Sequence, residues 1–174
     1  KSFNPDNRTP SFNALLGQVM SKGDRMDYAI QKAVELGVTD IQLLTSERCE
    51  MRLKYDRDQK KIDHWQSVAI AACEQCGMNS VPKILAPLRL EDWFNSNLPA
   101  TKLVLAPNKD QVDVLNSVSK DLALLIGPEG GLSEAEINAA NAVGFENWCI
   151  GSRVLRTETA PVVALAILNY RLAE

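Results

Sequence analysis

The fold is decided by residues 122–136, Leu122-Ala123-Leu124-Leu125-Ile126-Gly127-Pro128-Glu129-Gly130-Gly131-Leu132-Ser133-Glu134-Ala135-Glu136. The first five are apolar without alternation, the pattern of a strand buried on both faces. They run into a turn in which three of five residues are glycine, which permits positive φ and close approach to bare backbone amides. Ser133 with Glu136 forms a capping box, so a helix begins there and runs to Gly144. The turn is neither Gly-x-Gly-x-x-Gly nor a P-loop, because no Lys-Ser/Thr follows. Glu129 in its middle would repel a phosphate.

Outward from this unit the same alternation recurs. Strands are predicted over 14–20, 41–44, 84–86, 102–106 and 145–150. A helix opens at Asp24, turns Met26, Ile30, Ala33 and Val34 inward, and stops at Gly37. Another spans about 59–76 and ends at Gly77, and the last runs from near Thr159 and Pro161 to about Leu172. Weaker helices fall between. The whole reads as one α/β domain with a mostly parallel sheet flanked by helices, and no internal repeat. Residues 162–168 leave the last helix no polar face for two turns, so it needs cover on every side. A subunit interface and a central position in a single core would both supply it.

The chain has 174 residues, 45% hydrophobic and 24% charged, enough apolar content to exclude disorder. Its longest apolar run, residues 160–168, is far short of the roughly 20 residues needed to cross a bilayer. No signal segment opens the chain, which begins at Lys1 without an initiator Met. A net charge of −3 argues against binding nucleic acid by bulk charge. The charge is uneven, however: residues 1–61 hold 11 basic and 9 acidic groups, and residues 62–174 hold 8 and 13. The stretch 48–61 is +3 by itself, a solvated face or a phosphate-contacting patch.

Four cysteines without a secretory signal suggest reduced thiols in the cytoplasm. Cys73 and Cys76 share the apolar stripe of their helix with Ile62, Trp65, Ala69 and Ala72, which points to packing and not to metal. His64 lies on the polar face, and no Gly-x-Ser-x-Gly elbow accompanies it.

Ligands of open parallel sheets bind beyond the carboxyl ends of the strands. Besides 127–131, two strand ends matter: Leu105-Ala106-Pro107, and the loop Gly151-Ser152-Arg153-Val154-Leu155-Arg156-Thr157-Glu158-Thr159-Ala160. Helix capping accounts for Thr157, Thr159 and Glu158 in that loop. It does not account for Arg156, a cation beside a helix N-terminus that disfavours it, and so implies an anion or polarised substrate nearby.

Together, Leu125-Ile126-Gly127-Pro128-Glu129-Gly130-Gly131-Leu132-Ser133-x-x-Glu136 and Gly151-x-Arg153-Val154-Leu155-Arg156-Thr157-Glu158-Thr159-Ala160 closely resemble the RsmE family of small-subunit ribosomal RNA methyltransferases, in the SPOUT superfamily. Arg25-Met26, Ile30-Gln31-Lys32, Glu35-Leu36-Gly37-Val38, Ser46-Glu47-Arg48 and Ala72-Cys73-Glu74-Gln75-Cys76-Gly77 agree in order, so the resemblance covers nearly the whole chain. It implies a SPOUT-type fold with a C-terminal trefoil knot, a homodimer, and methylation of N3 of a uridine in small-subunit (16S) ribosomal RNA, free or in the assembled subunit. It implies the cofactor S-adenosylmethionine, no metal and no membrane. Family members also carry an N-terminal PUA-like RNA-binding barrel, which is absent here, so residues 1–174 are expected to be the catalytic SPOUT domain. Close members place an arginine after Glu-Gln-x-Gly, where this chain has Met78.

On that resemblance the cofactor is expected on Leu105, Ala106, Pro107, Gly127, Pro128, Glu129, Gly130, Gly131, Ile150, Gly151, Val154, Leu155, Arg156, Thr159 and Ala160. Arg156 would stabilise the uridine anion, and Glu129 or Glu158 would accept or relay its proton. Lys22, Arg25, Lys32, Arg48 and Arg52 are the expected phosphate contacts. Two rival functions are a SPOUT enzyme acting on a ribose 2′-hydroxyl and a non-catalytic RNA-binding or ribosome-assembly module.

Overall fold

The computed structural model describes residues 8–51, 55–106 and 114–172, with backbone alone at 55–58. The strands are β1 Asn13–Val19, β2 Asp40–Thr45, β3 Lys83–Arg89, β4 Thr101–Leu105, β5 Asp121–Ile126 and β6 Glu146–Trp148. The helices are α1 Asp24–Glu35, α2 Tyr55–Cys76, α3 Leu90–Phe94, α4 Glu134–Ala142 and α5 Ala160–Leu172. The strands form one sheet in the order β3-β2-β1-β5-β4-β6, with every pairing parallel. All six carboxyl ends therefore lie along one edge. β1 and β5 occupy the middle, and Ala14, Leu16, Val19, Leu122, Leu124 and Leu125 are buried there. This explains their unbroken apolar runs, since helices cover both faces of a parallel sheet.

Local chemistry sets the element ends. Gly37 takes φ +84°, and the amides of Gly37 and Val38 donate to the carbonyls of Val34 and Ala33, closing α1 as a Schellman motif. Ser133 and Glu136 form both bonds of the predicted capping box. β3 runs past the predicted end through Pro87 to Arg89. A proline is tolerated because β3 is an edge strand and its register with β2 slips between Gln42 and Leu44. β6 is shorter than predicted: the Ala106 amide donates to the Trp148 carbonyl at 3.3 Å, and the chain leaves the ladder there.

The last helix is not surrounded within one chain. Ala160, Ala164, Leu165 and Leu168 are buried, whereas Ala166 is exposed and Tyr170 is 88% exposed. Its far end is tied down: Asn169 donates to the Leu36 carbonyl at 3.2 Å, and the Ser11 hydroxyl donates to the Leu172 carbonyl at 2.9 Å.

Gly17 on β1 lets the indole of Trp93 lie directly on the sheet. A Cβ at Gly17 would fall 2.3 Å from Trp93 Cη2, and Trp93 is itself held by Phe94 and Phe145 with ring centroids 6.2 and 5.5 Å away. Gly17→Ala is expected to destabilise the fold by about 1–3 kcal/mol through overpacking, read as a lower urea midpoint at unchanged slope. The loss should shrink in a Trp93→Phe background; an equal loss there would show that the indole is not the obstacle.

Candidate functional site

The sheet order sets β5, β4 and β6 side by side, so the loops leaving their carboxyl ends gather in one place. Residues 149–159 leave β6 at the edge of the sheet and come back across the ends of β4 and β5 to β1. They are anchored at Thr157, which is 6% exposed. Its hydroxyl donates to the Gly127 carbonyl at 2.8 Å and accepts from Gln18 Nε2 at 3.2 Å. Helix capping, predicted for this threonine, is therefore not its role: the hydroxyl is spent on the turn after β5.

Loop 127–131 is a tight turn closed by the Gly131 amide donating to the Pro128 carbonyl at 2.8 Å. Pro128 is buried, and Glu129, Gly130 and Gly131 form an exposed tip. Gly131 and Gly151 have φ of +68° and +69°, and a Cβ at either would meet nothing within 4 Å. Both present bare backbone to open space. Leu105 and Ala106 end β4 beside them, and Ile150 and Leu155 pack partly buried against the core. Thr159 and Ala160 open α5, with both amides donating to the Arg156 carbonyl at 2.9 Å. Val154 differs from the other predicted cofactor residues in being 99% exposed. Pro107 and Arg52 lie outside the described residues.

The side chains of Arg156 and Glu158 make no hydrogen bond or ion pair with any described residue, and Arg156 is exposed. Glu129 is engaged: its carboxylate accepts from Arg25 Nη1 at 2.8 Å. Two other predicted phosphate contacts join the same rim. Arg48 donates to the Gly130 carbonyl at 3.1 Å, and Lys22 pairs with Glu50 at 2.8 Å. That contact raises the Lys22 pKa and lowers that of Glu50. Lys32 is not with them. It lies two turns further along α1, paired with Glu35 and 5.9 Å from the centre of the Tyr28 ring.

Sequence reasoning missed two contributors. Gln18 is 1% exposed on the central strand, and its one signal was an amide inside an otherwise apolar run. Glu136, read only as a cap, also accepts from the Glu47 amide at 2.7 Å and so ties the loop after β2 to α4. A recess of about 430 Å³ between α3, α4 and the end of β2 contains none of the predicted cofactor residues. Met78 lines a smaller recess beside Arg8 and Asn169, near the amino-terminal ends of the strands.

Among the described residues no cluster could hold a metal and no helix is long and apolar enough to cross a membrane. Cys73 is buried and Cys76 partly buried on α2, as packing residues. Nor is His64 poised for catalysis: its Nε2 lies 2.8 Å from the Asp27 carboxylate on α1.

A parallel sheet whose last loop returns across its own strand ends to a glycine turn is the plan of an RNA methyltransferase domain, and residues 7–169 match the family model of that description. The chain is 38% identical over 161 residues to ribosomal RNA small subunit methyltransferase E of Buchnera aphidicola (strain Sg), covering 91% of this chain and 65% of the relative. It is 30% identical to the Bacillus subtilis protein of the same name, covering 95% and 69%. Among solved structures, that of ribosomal RNA small subunit methyltransferase E from Neisseria gonorrhoeae bound to S-adenosylmethionine superposes with a TM-score of 0.87 at 38% identity, covering 95% of this chain and 69% of that one. The chain belongs to the ribosomal RNA small subunit methyltransferase E family, with a SPOUT-type fold. It spans just under two thirds of the length of the Buchnera relative.

The thiols report on the geometry of the site. Cys49 is buried, its pKa raised by burial, and its one thiol hydrogen has the carbonyls of Met20 and Met51 within reach, at 3.3 and 3.2 Å from the sulfur. Cys149, at the exit of β6, is exposed. In the folded protein Cys149 is expected to react first with a thiol-specific chromogenic disulfide, and Cys49 and Cys73 only on unfolding. A fast phase that survives Cys149→Ser would contradict this placement.

Proposed function

We propose that this chain is an S-adenosylmethionine-dependent methyltransferase that methylates N3 of a uridine in small-subunit ribosomal RNA, acting in the cytoplasm as a homodimer. The observation that carries the reading is the convergence of Gly127–Gly131, Leu105–Ala106 and loop 150–155 on one edge, with Arg156, unpartnered among the described residues, beside them. The residues suit the cofactor. Open backbone at Gly131 and Gly151 lets a ligand approach without side-chain obstruction, the Gly131 amide itself being spent on the turn, and Glu129 at the tip favours a positive sulfonium over a phosphate. The cofactor supplies an activated methyl group, so neither a metal nor a covalent enzyme intermediate is required.

The protein's own tasks are alignment and handling of one proton. Arg156, without a partner among the described residues, stabilises the negative charge that develops on the pyrimidine when N3 loses its proton. Of the two carboxylates, Glu158 has no partner among the described residues and accepts that proton, while Glu129 is already held by Arg25. Lys22, Arg25 and Arg48, grouped on the rim, contact phosphates flanking the target. The return of 149–159 over β4 and β5 supports a trefoil knot, and the open apolar side of α5 supports the homodimer.

The test is transfer of a labelled methyl group onto small ribosomal subunits, with the product identified as a nucleoside. Methyl on a ribose, or no transfer, would replace the N3 assignment. Arg156→Ala is expected to lower kcat by about a hundredfold or more, the scale of losing a charge-stabilising donor, with cofactor affinity within about threefold. Full activity would remove Arg156 from this role. A Cβ at Gly130 lies 3.4 Å from Arg48 Cβ, so Gly130→Val fills the approach and pushes on Arg48. Calorimetry should show that variant losing S-adenosylmethionine binding; unchanged affinity would place the cofactor elsewhere.

A further inference from the structure

We propose that Gln18 is a positioning residue for methyl transfer, acting through the Thr157 hydroxyl on the carbonyl of Gly127. The inference rests on the cofactor and target placement proposed above. Gln18 lies on β1 between Leu43 of β2 and Ile126 of β5, in the most buried part of the sheet. An amide there is costly unless its polar atoms are bonded. Its Nε2 donates to the Val19 carbonyl at 3.0 Å and to Thr157 at 3.2 Å, but its Oε1 is buried with no partner among the described residues. An apolar side chain of the same shape would leave no such oxygen, so stability alone is a poor reason for glutamine at this position.

The amide instead fixes a rotor. Thr157 has one hydroxyl hydrogen, and the N–H of Gln18 takes up the accepting side of its oxygen. The hydrogen is thereby directed to Gly127, at 2.8 Å. Gly127 begins the loop proposed to hold the cofactor, and Thr157 sits between Arg156 and Glu158. A single buried contact thus sets the spacing between cofactor loop and catalytic candidates. Arg156 and Glu158 have no side-chain partners among the described residues, so among these their placement depends on this backbone anchor. The phosphate-contacting rim meets the same loop at its exposed tip, where Arg25 pairs with Glu129 and Arg48 donates to Gly130, whereas the Thr157 contact fixes the buried base of the loop.

The test compares Gln18→Met, Thr157→Val, the double variant and Thr157→Ser in the full chain. Each single variant is expected to weaken S-adenosylmethionine binding and lower kcat by about tenfold, the scale of one buried hydrogen bond, with KM for the ribosomal subunit unchanged. The double variant should lose no more than the singles, and Thr157→Ser, which keeps the hydroxyl, should recover most of the loss. Parent-like affinity and kcat, or losses that merely track the unfolded fraction, would overturn the proposal. Hydrogen exchange reads the same contact without cofactor: Gln18→Met should speed exchange at 127–131 and 156–159 while the rest of the sheet stays protected. If the parent chain binds no S-adenosylmethionine but shows this local loosening, the functional reading fails and the clamp stands. Unchanged exchange removes the clamp.

Discussion

The hydrogen bond from Thr157 to Gly127 decides where residues 149–159 lie, because nothing in the sheet itself sends them there. β6 is an edge strand, and in a parallel sheet a chain leaving an edge would ordinarily cross over to add another strand outside it. Here it turns back over β4 and β5 and is caught by a hydroxyl between two buried strands. From that point α5 has a fixed start, and its far end is fixed where Asn169 donates to the Leu36 carbonyl and Ser11 donates to the Leu172 carbonyl. The helix is thus pinned at both ends by a few polar contacts, while apolar packing holds its inner face.

The rim cations illustrate a different balance. Lys22, Arg25 and Arg48 come from two loops and α1, yet each meets a carboxylate or carbonyl of its surroundings. These contacts are exposed: Arg25 and Glu129 keep 45% and 29% of their side-chain surfaces open. Pairs in such positions are weak and screened by salt. They hold the tip of loop 127–131 in place without committing the cations, and the phosphates of a nucleic acid, one charge each but several in a row, can compete for them. The net charge of −3 is compatible with this, because what matters is three cations on one rim and not the sum over the surface.

The parts of the fold legible in the sequence are those specified locally. The glycine turn with its capping box, the Gly37 stop and the apolar strands each depend on a few adjacent residues; the turn, the box and the stop form as read, and every predicted strand is present, β3 longer and β6 shorter than expected. The errors fall where distant segments intervene. The strand predicted over 84–86 runs on through Pro87 to Arg89, because a bulge on an edge absorbs the proline. Thr157 looked like a cap because its neighbours fit a helix start; its true partner is 30 residues away in the chain, and the amide that directs it is 139 away. For Gln18 the only mark was a polar residue where the pattern called for an apolar one. Such a mismatch shows that a buried partner must exist without saying which.

The outer side of α5 follows the same logic one level up. Val162, Val163 and Ile167 are only partly covered and Tyr170 is almost fully open, so a helix with mean composition suited to an interior has half of its surface unpaired. Open apolar surface of this kind is what the homodimer proposed above would cover. The helix begins four residues after Arg156, and Val154, 99% exposed, lies just before it. A second copy seated on α5, as the proposed homodimer requires, would lie next to the loop that carries Arg156. Burial of the helix and completion of the outer wall of the site would then be one event, with Thr157 holding the inner wall ready for it.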